Sequence, residues 1–404
     1  MKNIAILGFG TVGQGVYEIL LERREKIKEI INQDFYIKTI LVNDINKERN
    51  IVDGITLTND FNIILNDPEI DIVVELTGAL EKGFEYISKS LKAGKNVVTA
   101  NKSVVSAYFK ELHSTALENK VKFLYEASVG GGIPIIKPLR EEIMLNDIES
   151  LQGILNGTCN YILSRMFKEK LSYKDILKDA QELGYAEADP TDDVEGLDTM
   201  RKLRILSSIA FGVDIREENI DTFGISTIEL CDVEYLEKNK STIKLLATST
   251  FDKNKGYTAF VEPTIVTNDD YFSTVSMAFN SISFEGSNVG PLKFYGAGAG
   301  KLPTGDAVCR DIIDIFLNNT SIEDFHLKES TSLNHEMKGN YYLRTEKNEN
   351  LISDLKNSNN LETTENVDNN SILILKDISK FNIIDLLKKY NINEKEYFLA
   401  KIGY

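Results

Sequence analysis

The chain begins with a short apolar segment that runs directly into a glycine-rich turn. Residues 3–7 read NIAIL, the pattern of a buried parallel strand, and Gly8, Gly10 and Gly13 follow with the spacing G-x-G-x-x-G. A helical pattern continues to about residue 31. Gly8 permits a tight turn, Gly10 lets the backbone approach a pyrophosphate, and Gly13 lets the helix pack closely on the strand. This order of elements predicts a Rossmann-type α/β domain that binds a dinucleotide.

Several groups can hold the dinucleotide in such a domain. The first turn of the helix, at Thr11 and Val12, offers backbone N–H groups to phosphate oxygens, and the helix dipole favours negative charge there. Asp44 follows the second strand, where an acid commonly accepts hydrogen bonds from the adenosine ribose. Asp44 suits NAD, whereas Lys47 and Arg49 can hold the 2′-phosphate of NADP. The alternative for Asp44 is that it only caps a turn.

Two later strands of the same sheet end in polar residues. Residues 71–76 (DIVVEL) lead to Thr77, and residues 96–99 (NVVT) lead to Asn101 and Lys102. Ligands of open α/β sheets bind beyond the carboxyl ends of the strands. We therefore expect these three side chains to line the cofactor site, with Lys102 near a phosphate, the nicotinamide or a substrate carboxylate. The alternative is a helix cap at Asn101 and a solvated Lys102.

A further strand, Val121–Tyr125, precedes the segment EASVGGGIP at 126–134. Its three consecutive glycines carry a large entropy cost on folding. We therefore expect that side chains are excluded there because the backbone lies in close contact with a partner. The partner can be a substrate, another chain segment or a monovalent cation held by carbonyl groups. An unliganded hinge between domains is the alternative.

The pattern changes after Pro138 to longer, alternating strands. One sheet is predicted, with a helical stretch at 158–217 packed across it, from residues 148–155, 258–266, 276–285 and 288–294. A second glycine turn at 295–300 precedes a helix at about 304–318, which we expect to return to the nucleotide domain and to place Gly300 near the cofactor.

These boundaries predict an α/β chain of several domains. The Rossmann-type nucleotide-binding domain covers 1–135 and is completed by a returning segment at about 300–325. An inserted α/β catalytic domain with a mixed sheet covers 136–300, and a small C-terminal domain covers 335–404.

The helix that begins near residue 194 places charges where apolar residues are expected. On a 3.6-residue period, Val194, Ile205 and Ile209 form one apolar stripe, and Asp198 and Lys202 lie in its middle. A solvent-facing pair at i, i+4 would contribute only a few tenths of a kcal/mol. A pair on the stripe must instead be buried as an ion pair or line a cleft.

Acidic residues also crowd the turn just before this helix. Glu187, Asp189, Asp192 and Asp193 surround Pro190. Carboxylates and a lysine that converge on a partly dry site suggest binding of an ammonium group together with proton transfer.

Composition excludes several classes of protein. The net charge of −16 disfavours a nucleic-acid or anionic-membrane partner. Cys159, Cys231 and Cys309 are too scattered for a disulfide framework or a zinc cluster, which fits a reducing cytoplasm. The segment MKNIAILGFG does not resemble a signal peptide, and no apolar run approaches membrane-spanning length. Cys159 begins a predicted helix, where a thiol can be acidified, but without a nearby histidine a buried or cap-adjacent cysteine is favoured.

The C-terminal residues follow their own pattern. They predict a βαββαβ order, with strands at 340–345, 361–366, 371–376 and 396–402 and helices at 351–357 and 379–390.

The motifs together resemble the homoserine dehydrogenase family over nearly the whole of residues 1–320. The resemblance rests on GFGTVG at 8–13, ELTG at 75–78, TANK at 99–102, YEASVGGGIP at 125–134, NGTCNYIL at 156–163, the stretch AQELGYAEADPTDDVEGLDTMRK at 180–202, and GAGAGKLPT at 296–304. It implies reversible hydride transfer between L-homoserine and L-aspartate 4-semialdehyde with NAD(P), in threonine and methionine biosynthesis, by a cytoplasmic homodimer.

The resemblance also implies roles for individual residues. Lys202 matches the proposed acid/base lysine, assisted by Lys102, and Glu187, Asp193 and Asp198 match residues associated with the substrate amino group or with positioning that lysine. Sodium is implied at a loop whose ligands match Glu126, Val129, Gly131 and Ile133. Asn43 stands where the family has an arginine, so the sequence does not decide whether the cofactor is NAD or NADP.

The C-terminal domain resembles a compact ACT domain, a module that binds amino acids in many biosynthetic enzymes. It is shorter than usual, and KNEN at 347–350 replaces the turn that often follows the first strand. Threonine regulation is one interpretation, and a dimerisation or remnant module is the other.

Two alternative functions remain at this point. A semialdehyde dehydrogenase of the thiolate type would need a base beside Cys159. A non-catalytic nucleotide-binding sensor would keep the glycine turn but would have no use for Lys202 and the acids around Pro190.

Overall fold

A parallel sheet of six strands follows from the N-terminal glycine turn. The computed structural model describes residues 1–319 and 327–403, so residues 320–325 of the predicted returning segment and Tyr404 lie outside the described residues. The elements of the first 146 residues are β1 (Lys2–Leu7), α1 (Thr11–Glu22), α2 (Arg24–Ile31), β2 (Phe35–Leu41), β3 (Thr56–Thr58), α3 (Phe61–Leu65), β4 (Ile70–Glu75), α4 (Leu80–Lys92), β5 (Asn96–Thr99), α5 (Lys102–Ala107), α6 (Phe109–Glu118), β6 (Phe123–Leu124) and α7 (Ile136–Glu142).

The strand order of this sheet is β3-β2-β1-β4-β5-β6, and every pair is parallel. Apolar residues of β1 and β4, such as Ile4, Ile6 and Val74, are completely buried, as expected for a parallel sheet covered on both faces. The Rossmann-type fold predicted for this region is confirmed. The single helix predicted to residue 31 is wrong in one respect, because it ends and restarts at Arg23.

The remaining chain supplies a second, larger sheet. Its elements up to residue 317 are β7 (Ile148–Ile154), α8 (Gly157–Glu169), α9 (Tyr173–Glu182), α10 (Thr191–Val194), α11 (Leu197–Phe211), β8 (Asp221–Thr222), α12 (Leu230–Lys238), β9 (Ser241–Asp252), β10 (Gly256–Thr267), β11 (Phe279–Gly286), β12 (Gly290–Ala297) and α13 (Lys301–Leu317). The C-terminal elements are β13 (Gly339–Glu346), α14 (Glu349–Asn357), β14 (Leu361–Val367), β15 (Asn370–Ile378), α15 (Lys380–Lys389) and β16 (Tyr397–Ile402).

The second sheet has the order β12-β11-β7-β9-β10-β16-β13-β15-β14, and β8 pairs with β10. Most of its described pairs are antiparallel, whereas β10 is parallel to β8 and β16, so the sheet is mixed as predicted. The βαββαβ order of the C-terminal elements is also as predicted. Strand β9 was not predicted, although it pairs with β10 along its whole length.

The C-terminal strands continue the sheet that carries β7, β9 and β10. Strand β16 joins the two parts, since it pairs with β10 on one side and with β13 on the other. These strands also have their own apolar core, in which Leu343, Leu373 and Leu399 are buried.

The chain divides into two compact units. The first contains residues 1–146, 204–217 and 294–329, and the second contains residues 147–203, 218–293 and 330–404. Helix α13, which the sequence predicts to return to the nucleotide domain, belongs to the first unit, where Val308, Ile312 and Phe316 join the core of the parallel sheet. Within the described ranges, no helix is both long and apolar enough to cross a membrane.

Candidate active site

The glycine turn after β1 is shaped to leave room for a ligand at one position. Gly8 has φ +96°, and a Cβ there would lie 2.7 Å from the Leu76 carbonyl oxygen. A Cβ at Gly13 would collide with the Gly8 carbonyl, whereas a Cβ at Gly10 would meet nothing within 4 Å. Gly8 and Gly13 are therefore required by the turn and the helix packing, and Gly10 faces open space. This is the geometry that close approach of a pyrophosphate needs.

The N-terminus of α1 is suited to bind an anion. Its cap residue, Gly10, provides no side-chain hydrogen bond, and the first turn contains no acidic residue. The N–H groups of Thr11, Val12 and Gly13 have no partner within the helix, because the first intrahelical bond from this end is made by Gln14 to Gly10. The residues present thus fit the phosphates of a dinucleotide.

Asp44 is exposed and already has a structural role. Its Oδ1 accepts a hydrogen bond from the Asn46 N–H at 2.9 Å, which is the turn-capping arrangement considered as an alternative above. Arg49 donates to the carbonyl oxygens of Asp44 and Lys47, both at 2.8 Å. A carboxylate and a guanidinium therefore belong to the same turn.

The polar residues after β4 and β5 are joined by a buried carboxylate. Glu75 is fully buried, and its Oε1 accepts hydrogen bonds from the N–H (2.8 Å) and the hydroxyl (2.6 Å) of Thr77. Its Oε2 accepts from the Thr99 hydroxyl at 2.8 Å, and the Thr99 hydroxyl in turn accepts from the Asn101 N–H. The ends of the two strands are thus held together by Glu75. Glu75 is part of the ELTG motif, but no role was predicted for it from the sequence.

Asn101 and Lys102 begin helix α5 at the end of β5. Asn101 caps the helix by accepting from the Val104 N–H at 3.3 Å, and its amide donates to the Ala79 carbonyl at 2.9 Å. Lys102 is the first residue of α5 and is half-buried. The cap considered for Asn101 is therefore present, while Lys102 is not fully solvated.

The glycine-rich loop after β6 is buried and closely packed. Glu126 is 4% exposed and caps helix α7: its Oε1 accepts from the N–H groups of Ile135 and Ile136, and its Oε2 from that of Lys137, at 2.6–2.8 Å. Gly131 has φ +56°, and a Cβ there would collide with the Gly298 carbonyl. The three glycines thus approach another chain segment, one of the partners considered above.

Gly300 lies in the second glycine turn, where it has φ +133° and precedes α13 as its cap. Gly132 donates from its N–H to the Ala297 carbonyl at 3.1 Å, so this turn and the glycine-rich loop are bonded to each other.

The helix predicted from about residue 194 is interrupted, because Val194 ends α10 and α11 begins at Leu197. The predicted stripe, with Val194 on α10 and its other members on α11, is buried together with its charges. Asp198 is 2% and Lys202 9% exposed, and Lys202 Nζ lies 2.7 Å from Asp198 Oδ2. Lys202 Nζ also donates to the Leu155 carbonyl oxygen at 2.8 Å. The two charges form a buried ion pair, held by the residue that follows β7, and Lys202 keeps a small exposed fraction.

Asn156 links this pair to the acidic residues upstream. Its amide nitrogen donates to Asp198 Oδ2 at 2.9 Å and to Asp193 Oδ1 at 2.6 Å, while its Oδ1 caps α8 by accepting from the Cys159 N–H. Asp193, Asn156, Asp198 and Lys202 therefore form one hydrogen-bonded network. Asn156 was not singled out from the sequence, although its position before a predicted helix is that of a capping residue.

Glu187 lies outside this network. It is exposed, and the hydrogen bond described for it is accepted by its backbone carbonyl from Gln181 at 3.0 Å. Its carboxylate is accessible to solvent.

Cys159 is a buried, protonated thiol. Its Sγ donates to the Asp193 carbonyl at 3.0 Å. Burial raises the pKa of Cys159 well above its ordinary value, and the charges of Asp193, Asp198 and Glu195 raise it further. The predicted buried, cap-adjacent cysteine is confirmed, and this thiol lacks the features of a nucleophile.

The glycine turn with α1 and the network around Lys202 define a class of protein. The first unit has the turn and helix of a dinucleotide-binding domain, and the second holds a buried amine in a polar network able to handle a proton. A chain with both is an oxidoreductase that uses a nicotinamide nucleotide.

Comparisons with known proteins specify the family. The homoserine dehydrogenase family profile matches residues 134–313, and the profile of the homoserine dehydrogenase NAD-binding domain matches residues 8–126. A homoserine dehydrogenase from Helicobacter pylori is 43% identical over 321 residues, which cover 79% of this chain and 75% of that protein. The crystal structure of a homoserine dehydrogenase from Thiobacillus denitrificans has a TM-score of 0.91 at 34% identity and covers 100% of this chain and 98% of that one.

A hyperthermophilic archaeal homoserine dehydrogenase variant, solved in complex with NADPH, has a TM-score of 0.68 at 26% identity and covers 80% of this chain and 100% of that one. The chain belongs to the homoserine dehydrogenase family. It is an NAD(P)-dependent oxidoreductase that acts on the CH–OH group of homoserine, a step of amino-acid biosynthesis.

Proposed function

We propose that Lys202 transfers the proton in the interconversion of L-homoserine and L-aspartate 4-semialdehyde. The observation that carries this proposal is the buried Lys202 ammonium, two of whose three N–H groups are directed to Asp198 and to the Leu155 carbonyl. A third N–H group is then available in a defined position to meet a substrate oxygen. Asp198 positions Lys202 and balances its charge.

The proton and hydride of this reaction have separate sources. NAD(P), when bound, supplies or accepts the hydride at the nicotinamide ring. As the aldehyde oxygen gains negative charge, the Lys202 ammonium stabilises it and donates a proton to form the hydroxyl; in the reverse direction the Lys202 amine removes that proton. Lys102 assists at the substrate or the cofactor.

We further propose that Asp193 and Glu187 bind the ammonium group of the substrate. Asp193 is half-buried and fixed by Asn156, which places a carboxylate three hydrogen bonds of the network away from Lys202. Glu187 is exposed and adds a second negative charge at the same acidic turn. An ammonium ligand between carboxylates forms charge-assisted hydrogen bonds.

For the cofactor, we propose that the chain uses both NAD and NADP. Gly8, Gly10, Thr11, Val12 and Gly13 bind the pyrophosphate, and Asp44 binds the ribose, while Arg49 on the same turn can meet a 2′-phosphate. Thr77, Asn101, Lys102 and Gly300 complete the cofactor site. The archaeal relative solved with NADPH supports the phosphorylated form. Comparing kcat/KM for the two cofactors, before and after Asp44→Ala, tests this assignment, since the variant should lose efficiency with NAD more than with NADP.

A sodium ion at the glycine-rich loop is also proposed. In this loop the Gly130 carbonyl accepts a hydrogen bond from the Ile133 N–H, and the Gly132 carbonyl accepts one from Arg310. These two carbonyls alternate along the chain with the carbonyls proposed as sodium ligands, which belong to Val129, Gly131 and Ile133. Glu126 accepts three N–H bonds and retains one of its roughly four lone-pair sites for a cation. Replacing sodium chloride by choline chloride should lower the thermal unfolding midpoint. An unchanged midpoint and unchanged activity would contradict the assignment.

We also propose a cytoplasmic homodimer whose ACT-like C-terminal domain, residues 335–404, can bind threonine. The predicted βαββαβ order supports the ACT likeness. Light scattering of the purified protein tests the dimer, and the thermal midpoint measured with and without threonine tests the effector.

The central test is Lys202→Met with homoserine-dependent NAD(P)H formation followed by absorbance. Turnover should fall by roughly 10²–10⁴-fold while the cofactor dissociation constant stays near that of the wild type. Lys178→Met, at an exposed position on α9, is the matched control and should keep full activity. A Lys202→Met variant with normal turnover would overturn the proposal.

A further inference from the structure

Residues 221–232, here called the support segment, underlie the acidic turn at 187–195. The Ile225 N–H donates to the Val194 carbonyl at 2.8 Å. A Cβ at Gly224 would collide with that carbonyl and would lie 2.6 Å from the Glu195 Cα, and a Cβ at Gly196 would lie 3.1 Å from the Thr222 side chain. The Val194–Glu195 peptide, one residue beyond Asp193, therefore rests directly on the support segment, without room for a methyl group.

One end of the support segment is held by a buried lysine of the C-terminal module, defined as residues 330–403. Lys380, at the start of α15, is 2% exposed and makes an ion pair with Asp221; its Nζ also lies 3.3 Å from Glu262 Oε2 on β10. Burial lowers the pKa of Lys380, but the charges of Glu262 and Asp221 outweigh it and raise the pKa above its ordinary value. Lys380 is thus an ammonium fixed between two carboxylates.

The other end is held by a buried arginine of the same module. Arg344, on β13, is 3% exposed and donates from Nε to both oxygens of Asp232 at 3.0 and 3.1 Å. Its Nη2 donates to the Thr227 carbonyl at 2.5 Å, and its Nη1 lies 3.2 Å from Glu229. This guanidinium therefore bonds to three residues of the support segment at once.

The middle of the support segment also contacts the module. Phe223 stacks on Tyr397 of β16, with ring centroids 5.8 Å apart and planes at 12°. Phe223 also packs against the apolar core of the C-terminal elements. The support segment is thus bound to the module on one side, through Asp221, Phe223 and Asp232, and to the acidic turn on the other, through Gly224 and Ile225.

We propose that Lys380 is a positioning residue for the reaction, which acts through Asp221 and the support segment to hold Asp193 where it binds the substrate ammonium group. Arg344 does the same from the opposite end. The inference rests on the proposed role of Asp193. It gives the C-terminal module a part in every turnover, whether or not an effector binds to it.

The contacts made by Lys380 and Arg344 are charged rather than apolar, and this favours a positioning role over simple attachment of the module to the support segment. Apolar residues of similar volume often hold two surfaces together as well as a buried ion pair does. A hydrogen-bonded ion pair such as Arg344–Asp232 fixes direction as well as distance, because its strength falls steeply when the donor angle changes. Lys380 fixes distance from the opposite end, since its ammonium lies between two buried or half-buried carboxylates. A rigid link is what a carboxylate needs when it must meet an ammonium group repeatedly in one geometry.

Gly224→Ala tests the link without removing a buried charge. The added methyl group pushes on the Val194–Glu195 peptide, so we expect the KM for homoserine to rise by roughly three- to thirtyfold while the KM for the cofactor stays unchanged. Gly339→Ala is the control, since a Cβ at Gly339 would make only ordinary contacts, at 3.5 Å or more. An unchanged KM for homoserine in Gly224→Ala, or an equal rise in both KM values, would overturn the inference.

Lys380→Met and Lys380→Arg test the cation itself. The methionine variant should show the same selective rise in the KM for homoserine, and the arginine variant should recover most of the affinity because it keeps the charge. Lys389→Met removes an exposed ion pair with Asp354 at the other end of α15 and should have no effect. Loss of affinity in Lys389→Met equal to that in Lys380→Met would show a general effect of helix α15 and contradict the inference.

A double variant separates this inference from the proposed function. Asp193→Asn should raise the KM for homoserine, and adding Gly224→Ala should raise it little further, because both act on the same contact. If Asp193→Asn raises the KM and Gly224→Ala adds its full effect, the support segment does not act through Asp193, and the inference fails while the proposed function stands. If Asp193→Asn leaves the KM unchanged, the proposed role of Asp193 fails, and the inference fails with it.

Discussion

Lys202 Nζ lies 2.7 Å from Asp198 Oδ2, one helical turn apart on α11, with both side chains buried. Exposed pairs at this spacing stabilise a helix only slightly, whereas a buried pair carries a desolvation cost that excellent geometry must offset. Here Asn156 and the Leu155 carbonyl offset part of that cost, because each makes a hydrogen bond to one member of the pair. Such a pair is costly as a stabilising device and well suited to hold one amine in a fixed place.

Asp198→Asn should lower turnover more than it lowers substrate affinity. Asparagine keeps the shape and a hydrogen bond to Lys202 but removes the charge that balances the ammonium, so we expect kcat to fall by roughly 10–10³-fold. Asp192→Asn is the matched control, because Asp192 is 61% exposed and pairs with Arg201 at the surface. Steady-state kinetics with homoserine would contradict the role of Asp198 if both variants retained wild-type kcat.

Cys159→Ser should leave the reaction intact. The thiol is buried, donates to the Asp193 carbonyl and has a raised pKa, so it cannot serve as a thiolate nucleophile. Serine can make the same hydrogen bond, and we expect kcat within about threefold of the wild type. Activity assays after treatment with a thiol-alkylating reagent provide a second measure, since the buried thiol should react slowly. Abolished turnover in the serine variant would favour the thiolate-type dehydrogenase considered above.

Local patterns were sufficient to predict the parts of the fold that depend on neighbours in sequence. The glycine turn at Gly8, the strand that ends at Thr99 and the buried stripe with Asp198 were each predicted from a short window. Strand β9 was missed because both of its faces are buried over residues 243–247 and Lys244 interrupts the apolar run there, so the segment lacks the alternation of apolar and polar residues that marks a half-buried strand.

Long-range relationships could not be predicted from one sequence. The pairing of β16 with β10 joins residues more than a hundred positions apart, and nothing in either segment specifies the other. Glu75 and Asn156 were missed for the same reason: a carboxylate after a strand or an amide before a helix becomes informative only when its partners, such as Thr99 and Asp193, are known.

His113 should make the first unit sensitive to acid. It is 4% exposed and hydrogen-bonded to the Tyr125 hydroxyl at 2.8 Å, and burial, with the charges of Arg140 and Arg204, lowers its pKa well below 6.5. As the pH falls below 6.5 the unfolded chain binds a proton that the folded chain cannot accept. Stability is therefore full above pH 6.5 and decreases at lower pH, by up to about 1.4 kcal/mol per pH unit for one proton.

His113→Gln should reduce this acid sensitivity, because glutamine can bond to Tyr125 but does not titrate. The difference in thermal midpoint between variant and wild type, measured from pH 7.5 to 5, should move in favour of the variant as the pH falls. His335→Gln, at an exposed histidine, should give a difference that hardly changes with pH. A pH-independent difference for His113→Gln would show that burial of the imidazole does not limit stability in acid.

Lys244 should make the stability of the protein depend on pH in the alkaline range. It is 3% exposed on β9 and donates to the Asn160 side chain at 3.1 Å and the Val275 carbonyl at 2.6 Å. Burial lowers its pKa from 10.5 to about 8. Between these values the unfolded chain holds a proton that the folded chain has released, so this group's contribution to stability is lowest below pH 8 and rises towards pH 10.5, by about 3 kcal/mol over the whole interval.

Lys244→Met should remove that rise. Methionine fills a similar volume without a charge to desolvate, so the variant should gain stability relative to the wild type at pH 7, and the advantage should shrink steadily as the pH approaches 10. Tyrosines and cysteines also titrate in this range, but they are common to both proteins and cancel in the difference between their unfolding midpoints. Lys253→Met, at a position where the side chain is 74% exposed, should show a flat difference over the same range. If the difference between Lys244→Met and the wild type were equally flat, the folded chain would have to hold the Lys244 ammonium as readily as the unfolded chain does, with its burial offset by Asn160 and Val275.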